Sequence, residues 1–121
     1  MNKNIPSNQE LELMNEILSV ASDTTRLKIM FSLLDDSLCV CEDRCHCNEH
    51  LESEKTIEKC VSEIVLDVNA SQSLVSHQLK VLKDAGLVGS RKESTKVYYF
   101  LKDEHVRKLI EVVLEHAREK L

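Results

Sequence analysis

The scarcity of residues that can turn the backbone sharply is what most limits this chain: 121 residues include two glycines and one proline. Sandwiches and barrels need a tight turn every few residues, and Gly and Pro supply the angles those turns require. A chain with only three such residues favours long elements and a mostly helical fold. The composition agrees, with 42% apolar and 31% charged residues, no Trp, two Tyr and two Phe. Its core is therefore drawn from Leu, Ile and Val. One domain with a modest core is expected at this length, and pairing with a second copy is a common remedy for a small core.

The spacing of apolar residues gives an order of elements. Ser7 and Glu10 have the spacing of a capping box, and Leu11, Met14, Ile17, Leu18 and Ala21 recur behind them at helical period. Ser22-Asp23 is a second start signal, ahead of Leu27, Met30, Phe31, Leu33 and Leu34, and predicts a helix ending near Asp35. From 36 to 55 the apolar period disappears, and cysteines and acids mark an irregular insertion. Helical period returns with Ile57, Val61, Ile64, Val65 and Val68. Asn69 and Ala70 make a turn, and Ser71 is a good N-cap for a helix carrying Leu74, Val75, Leu79 and Leu82. Gly86 stands where a helix C-terminus wants positive φ.

Residues 57–84 thus predict a helix-turn-helix. Leu87 to Lys92 and Lys96 to Leu101, joined by Glu93-Ser94-Thr95, predict a β-hairpin over 87–101. A last helix over 104–121 gathers Val106, Leu109, Ile110, Val113, Leu114 and Ala117 on one side. The expected fold class is mainly α with a small β-hairpin. It is a single winged helix-turn-helix domain over 1–121, with extra N- and C-terminal helices for dimerisation.

A net charge of −5 looks wrong for a nucleic-acid partner, but its distribution is uneven. Asp35 to Glu58 holds eight acids against Arg44 and Lys55. Ser71 to Lys102 holds six bases against Asp84 and Glu93. Phosphate contacts depend on the local field, and the basic stretch coincides with the helix-turn-helix and hairpin. Ser71, Gln72, Ser73, Ser76, His77 and Gln78 in the first turns of the second helix, with Lys80 beyond them, suit base edges and phosphates of double-stranded DNA. Arg91, Lys92 and Lys96 on the hairpin suit the flanking backbone. An ordinary amphipathic helix would show a similar polar face; the basic hairpin directly after Gly86 favours DNA.

The stretch Val75-Ser76-His77-Gln78-Leu79-Lys80-Val81-Leu82-Lys83-Asp84-Ala85-Gly86-Leu87-Val88 resembles the recognition helix of the ArsR/SmtB metalloregulatory repressors. Ser22-Asp23-Thr24-Thr25-Arg26-Leu27-Lys28-Ile29 resembles their second helix, with Thr24 where a proline is usual, and Val97-Tyr98-Tyr99 resembles the returning strand of their wing. The resemblance implies a homodimer that binds operator DNA and is released from it by a metal.

The last helix has donors that fit such a role: Asp103 and His105, then His116 and Glu119. His105 and His116 are eleven residues apart, so they share a face but lie about 16 Å apart along the axis. Ligands at about 2 Å from one zinc ion cannot both come from one copy of this helix. Two antiparallel copies remove the obstacle, joining Asp103 and His105 of one chain to His116 and Glu119 of the other. Two nitrogens and two carboxylates suit zinc, with cobalt or nickel behind it. The plainer alternative makes Asp103 an N-cap and both histidines edge residues of a dimer helix. The resemblance favours the metal, because the spacing is similar to the interhelical zinc site of the family's zinc-sensing members. It also implies that metal holds the dimer in a shape poorly matched to two half-sites.

Cys39, Cys41, Cys45 and Cys47 lie in the insertion, with His46 and His50 nearby, and Cys60 opens the next helix. Four thiolates within nine residues could close around a soft ion such as cadmium, lead, zinc or Cu⁺. In the family a second, thiolate-rich site forms at the start of that helix; Cys60 matches its first cysteine, whereas Ser62 replaces a second. A structural zinc knot and an idle loop are the alternatives. Five cysteines, an odd number, argue against a disulfide framework if the protein is cytoplasmic, as the lack of a transmembrane run or signal-like N-terminus leads us to expect. No membrane partner is expected. Two further functions remain open at this point: a thiol-based oxidant sensor of the same fold, and a cysteine-rich metal buffer. No nucleophile–base pairing or phosphate loop is recognisable, so neither an enzyme nor a small organic substrate is expected.

Overall fold

The computed structural model describes residues 4–34 and 57–121; the cysteine-rich insertion, with Cys39, Cys41, Cys45 and Cys47, lies outside the described residues. The described elements run α1 (Asn8–Ala21), α2 (Thr24–Ser32), β1 (Lys59–Cys60), α3 (Val61–Val68), α4 (Gln72–Asp84), β2 (Val88–Glu93), β3 (Lys96–Leu101) and α5 (Glu104–Glu119).

Four of the helices start where a side-chain oxygen can take up a free N–H. Ser7 Oγ accepts from the Glu10 amide while Glu10 Oε1 accepts from the Ser7 amide, closing the expected capping box. Asp23, Ser71 and Asp103 cap α2, α4 and α5, accepting from Arg26, Leu74 and Val106. Helix α4 ends as Gly86 predicts: its φ is +79°, its N–H donates to the Lys83 carbonyl, and Leu87 N–H donates to Leu82. That pair of bonds is a Schellman motif, which only a residue comfortable at positive φ can close without strain.

Helices α2, α3 and α4 share one apolar centre, in which Ile29, Met30, Leu33, Ile64, Val75, Leu79 and Leu82 are wholly buried. Each such side chain contributes about 1.5–3 kcal/mol over leaving it in water. The sheet covers one side, through Val88 and Leu101, and α5 closes on it with Val106 and Ile110. Strand β3 is central, with β1 and β2 antiparallel on either side. Gly89 faces Phe100 across the hairpin, and a Cβ there would sit 2.6 Å from Phe100 Cε1.

Three boundaries differ from the sequence expectation. Residues Ile57 to Cys60 are not helical, because Lys59 and Cys60 pair with Tyr99 and Tyr98 and add a third strand to the hairpin. Helix α3 begins only at Val61, where Glu63 Oε1 accepts the Cys60 N–H. Helix α2 stops at Ser32, and Leu33 and Leu34 reach the core from a turn rather than from the helix. The hairpin loop shortens to Ser94-Thr95, with Ser94 at φ +63°.

Two helices leave apolar side chains in solvent. No residue of α1 is buried, and Leu11, Leu13, Met14 and Leu18 are exposed. On α5, Val106 and Ile110 are covered while Val112 and Val113 are not.

Candidate functional site

The second helix of the helix-turn-helix lies on the core by Val75, Leu79 and Leu82, which turns its opposite side outward. Ser71, Gln72, Ser73, Ser76, His77 and Lys80 are all exposed there. Gln78 differs: it is half-buried, and its Oε1 accepts a 2.7 Å bond from Arg26 Nη1, leaving only its amide nitrogen for another partner. The surface offered by α4 is thus one of hydroxyls, an imidazole, an amide and an ammonium, on a helix whose N-terminal end is free. Such a helix can enter a major groove.

The wing carries three bases in two states. Lys92 and Lys96 are exposed, and neither forms an ion pair among the described residues. Arg91 is engaged three times: Nε donates to Glu58 (2.7 Å), Nη1 donates to Glu93 (2.8 Å), and Cζ stands 5.1 Å from the Tyr98 ring centroid. Hydrogen bonds to Glu93 first and then Glu58 push its guanidinium above the usual arginine range, so it stays charged at any working pH. Within the wing, then, Lys92 and Lys96 present uncompensated charge, and Arg91 ties β2 to the residue preceding β1.

The four expected metal ligands form two pairs at opposite ends of α5. His105 Nδ1 is 3.8 Å from Asp103 Oδ1, and His116 Nδ1 is 3.8 Å from Glu119 Oε1. The His105 side chain is 95% exposed and that of His116 70%. Asp103 Oδ1 also accepts the Val106 N–H, so the capping role holds and Oδ2 is the oxygen left for an ion. Two ligands of a tetrahedral zinc site lie about 3.3 Å apart when each is about 2 Å from the metal. The His116–Glu119 separation is close to that value; at the other end the 3.8 Å is to the capping Oδ1 of Asp103, and Oδ2 is the oxygen that would have to approach. No group of three or more potential ligands converges within the described residues of one chain. Each end of α5 carries one imidazole and one carboxylate.

Cys60 stands at the entrance of α3, with Sγ 3.3 Å from Ser62 Oγ and donating to Glu63 Oε1 at 3.5 Å. Among the described residues it has no thiol neighbour.

A family model described as "Bacterial regulatory protein, arsR family" matches residues 53–90, which span the helix-turn-helix and the first half of β2. A homologue of the cadmium resistance transcriptional regulatory protein CadC from Staphylococcus aureus is 35% identical over 105 residues, covering 86% of this chain and 69% of its own. The chain belongs to the ArsR family. A homologue of the transcriptional repressor SmtB from Synechocystis is 30% identical over 115 residues, covering 95% of this chain and 71% of its own. Among solved structures, the homodimeric winged helix-turn-helix DNA-binding domain of a Mycobacterium bovis protein superposes with a TM-score of 0.71 over all of this chain and 93% of that one, at 22% identity. That last likeness establishes the winged helix-turn-helix fold. ArsR-family proteins are DNA-binding transcriptional regulators, not enzymes.

Several residues that shape the site carry no signal in the sequence. Arg26 sits in an α2 stretch similar to other family members, but nothing there announces Gln78, 52 positions away, as its partner. The engagement of Arg91 by Glu58 depends on β1 joining the sheet. Arg107, two residues after His105, donates Nη1 to the Leu34 carbonyl and ties α5 to the end of α2. Among the described residues no helix is long and apolar enough to cross a membrane.

Proposed function

We propose that this ArsR-family chain is a homodimeric repressor that leaves its double-stranded operator when zinc bridges Asp103 and His105 of one protomer to His116 and Glu119 of its partner. Cobalt is the other metal this donor set suits; cadmium is brought forward by the cadmium-resistance relatives, and cadmium or lead by the cysteine-rich insertion. The observation that carries the reading is the pairing at the two ends of α5: each end supplies one imidazole and one carboxylate, both accessible, and the two ends are too far apart for one ion. Antiparallel association of two α5 helices completes two four-ligand sites per dimer. The exposed apolar residues of α1 and α5 supply a surface for that association. The names of the CadC and SmtB relatives, regulators of cadmium resistance and a repressor, support a metal-responsive repressor.

DNA contacts are assigned to Ser71, Gln72, Ser73, Ser76, His77 and Lys80 on α4 and to Lys92 and Lys96 on the wing, with Gln78 and Arg91 at its margins. Metal and DNA then oppose each other through the dimer: an ion bridging the α5 pair favours one mutual orientation of the protomers, and the operator favours another. Coupling of this kind is reciprocal, and its usual size of about 1–3 kcal/mol corresponds to roughly 5- to 150-fold in operator affinity.

The test is a titration of a duplex, selected from a random pool by the metal-free protein, with zinc or with EDTA. The wild-type protein should lose affinity on adding zinc, recover it with chelator, and bind two zinc ions per dimer at α5. His105→Ala and His116→Ala should bind the duplex as the metal-free wild type does and no longer respond to zinc. Zinc-induced release that survives in both variants refutes the α5 site.

A further inference from the structure

One guanidinium in this molecule joins the exposed helix α1 to the DNA-reading helix α4. Arg26 Nε donates to the Val20 carbonyl at 2.8 Å, in the last turn of α1, and Arg26 Nη1 donates to Gln78 Oε1 at 2.7 Å. The Val20 carbonyl is one of the four that a helix C-terminus leaves without an internal partner. Arg26 is itself held by its place on α2, where its own N–H is taken by Asp23. A guanidinium is a planar, rigid fork of donors, so the two bonds fix a direction as well as a distance. Because it only donates, it also fixes the Gln78 amide with its oxygen inward. The amide nitrogen has no partner among the described residues and is the group left for another contact.

What the link connects gives it consequence. Helix α1 rests on the core only by the half-buried Ile17, Val20 and Ala21, and presents Leu11, Leu13, Met14 and Leu18 outward, the surface assigned to the partner protomer. Helix α4 bears the DNA-reading face. The angle between the two therefore helps to set, together with the α5 seam, how far apart and in what relative rotation a dimer holds its two reading helices. A shift of one base pair between half-sites moves them by about 3.4 Å and turns them by about 34°. A few degrees of play at the α1–α4 junction, over a lever of about 20 Å and acting through both protomers, moves the reading helices by about 2–4 Å, comparable with the step of about 3.4 Å though well short of the turn of about 34°.

We propose that Arg26 is a positioning residue which, through Gln78, sets the spacing of half-sites that the dimer accepts. It does not touch DNA. The proposal rests on the dimeric, DNA-binding function proposed for this chain. Lysine at position 26 keeps the charge and the alkyl stem but lacks the fork. Methionine at 78 keeps the length and removes the acceptor. Glutamate at 78 keeps the acceptor and strengthens the bond to Arg26, while replacing the outward NH₂ with a carboxylate oxygen.

The full-length protein is measured against duplexes carrying two copies of the selected half-site, with the separation stepped one base pair at a time. A single half-site duplex and a sedimentation run serve as controls. Wild type should show one preferred separation. Arg26→Lys should lose about tenfold of the discrimination against neighbouring separations, with single half-site preference and dimerisation unchanged; Gln78→Met should lose the same discrimination and, without its outward amide at the margin of the reading face, bind every duplex more weakly as well. Gln78→Glu should bind all duplexes more weakly yet keep the wild-type spacing preference, because its latch is intact. Unaltered spacing preference in both Arg26→Lys and Gln78→Met overturns the proposal. So does a loss of preference in Gln78→Glu equal to that in Gln78→Met, which would make Gln78 a DNA donor rather than a latch. A wild-type protein that sediments as a monomer, or that binds no duplex specifically, overturns the dimeric reading itself and the proposal with it.

Discussion

Removing the two carboxylates that hold Arg91 should convert a structural base into a DNA-binding one. In the free protein Arg91 faces Glu58 at 2.7 Å and Glu93 at 2.8 Å, so this corner of the wing carries more negative charge than positive. Glu58→Gln together with Glu93→Gln keeps oxygen acceptors in both places and removes both charges, leaving the guanidinium uncompensated. Each phosphate neutralised by a protein cation steepens the dependence of log affinity on log salt by about 0.9. One released Arg91 per protomer at a phosphate therefore makes the affinity of that protomer fall by roughly a further 3.5-fold between 50 and 200 mM salt. Fluorescence anisotropy on a labelled duplex of arbitrary sequence reads this directly. The double variant should bind more tightly than wild type at 50 mM and lose that advantage at high salt. Arg91→Gln added to the double variant should restore the wild-type slope, whereas Arg91→Gln alone should leave it nearly unchanged. If Arg91→Gln alone already lowers the slope by about 0.9 per protomer, the guanidinium leaves its carboxylates for phosphate on binding, and Arg91 is a DNA contact rather than a strap within the wing.

Two further expectations concern stability. Gly89→Ala puts a methyl group 2.6 Å from Phe100 Cε1 and forces the ring or the hairpin to move; a loss of about 1–3 kcal/mol in denaturant unfolding is expected, as for other overpacked sites, and Phe100→Leu should recover part of it. Asp67 accepts from Lys59 Nζ and Ser32 Oγ on one oxygen. Burial alone would raise its carboxyl, but those hydrogen bonds and the Lys59 charge outweigh it and hold the group below its ordinary 3.8. Its contribution is therefore fully present above pH 3.8 and is lost as pH falls through the lower folded value. With the side chain 42% exposed, that contribution is about 1 kcal/mol or less. Asp67→Asn should flatten the fall in melting temperature below pH 3.8, and an unchanged acid limb would remove the carboxylate from the explanation.

What could be read in the sequence was whatever is decided within a few residues. The Ser7–Glu10 box, the Ser71 and Asp103 caps and the Gly86 terminus are local devices, and each appears where its spacing put it. The positions of Asp103, His105, His116 and Glu119 along one helix were equally legible, since a helix converts spacing into geometry. Ile57 to Cys60 went unread for the opposite reason. An apolar residue four before Val61 satisfies helical period, and only pairing of Lys59 and Cys60 with Tyr99 and Tyr98, nearly forty positions on, makes the segment a strand. The partners of Arg26, Arg91 and Arg107 are likewise set by tertiary approach, so a list of basic residues could not separate Lys92 and Lys96, which carry free charge, from Arg91, which does not. Along α5 the apolar stripe is continuous in sequence, but the protomer covers only Val106 and Ile110 fully. Val113 belongs to the same stripe and stays 53% exposed.

Both stumps of the segment between α2 and β1 are gripped by the fold itself. Arg107 holds the Leu34 carbonyl, Asp67 gathers Ser32 and Lys59 onto one oxygen, β1 is hydrogen-bonded into the sheet, and Glu58 is pinned by Arg91. Chain inserted at this seam starts and finishes on fixed ground, so lengthening it burdens folding only through closure entropy, about 0.6 kcal/mol for each doubling. Descent, or an engineer, can exchange what is carried there, thiol-rich or not, while α4 and α5 keep their places.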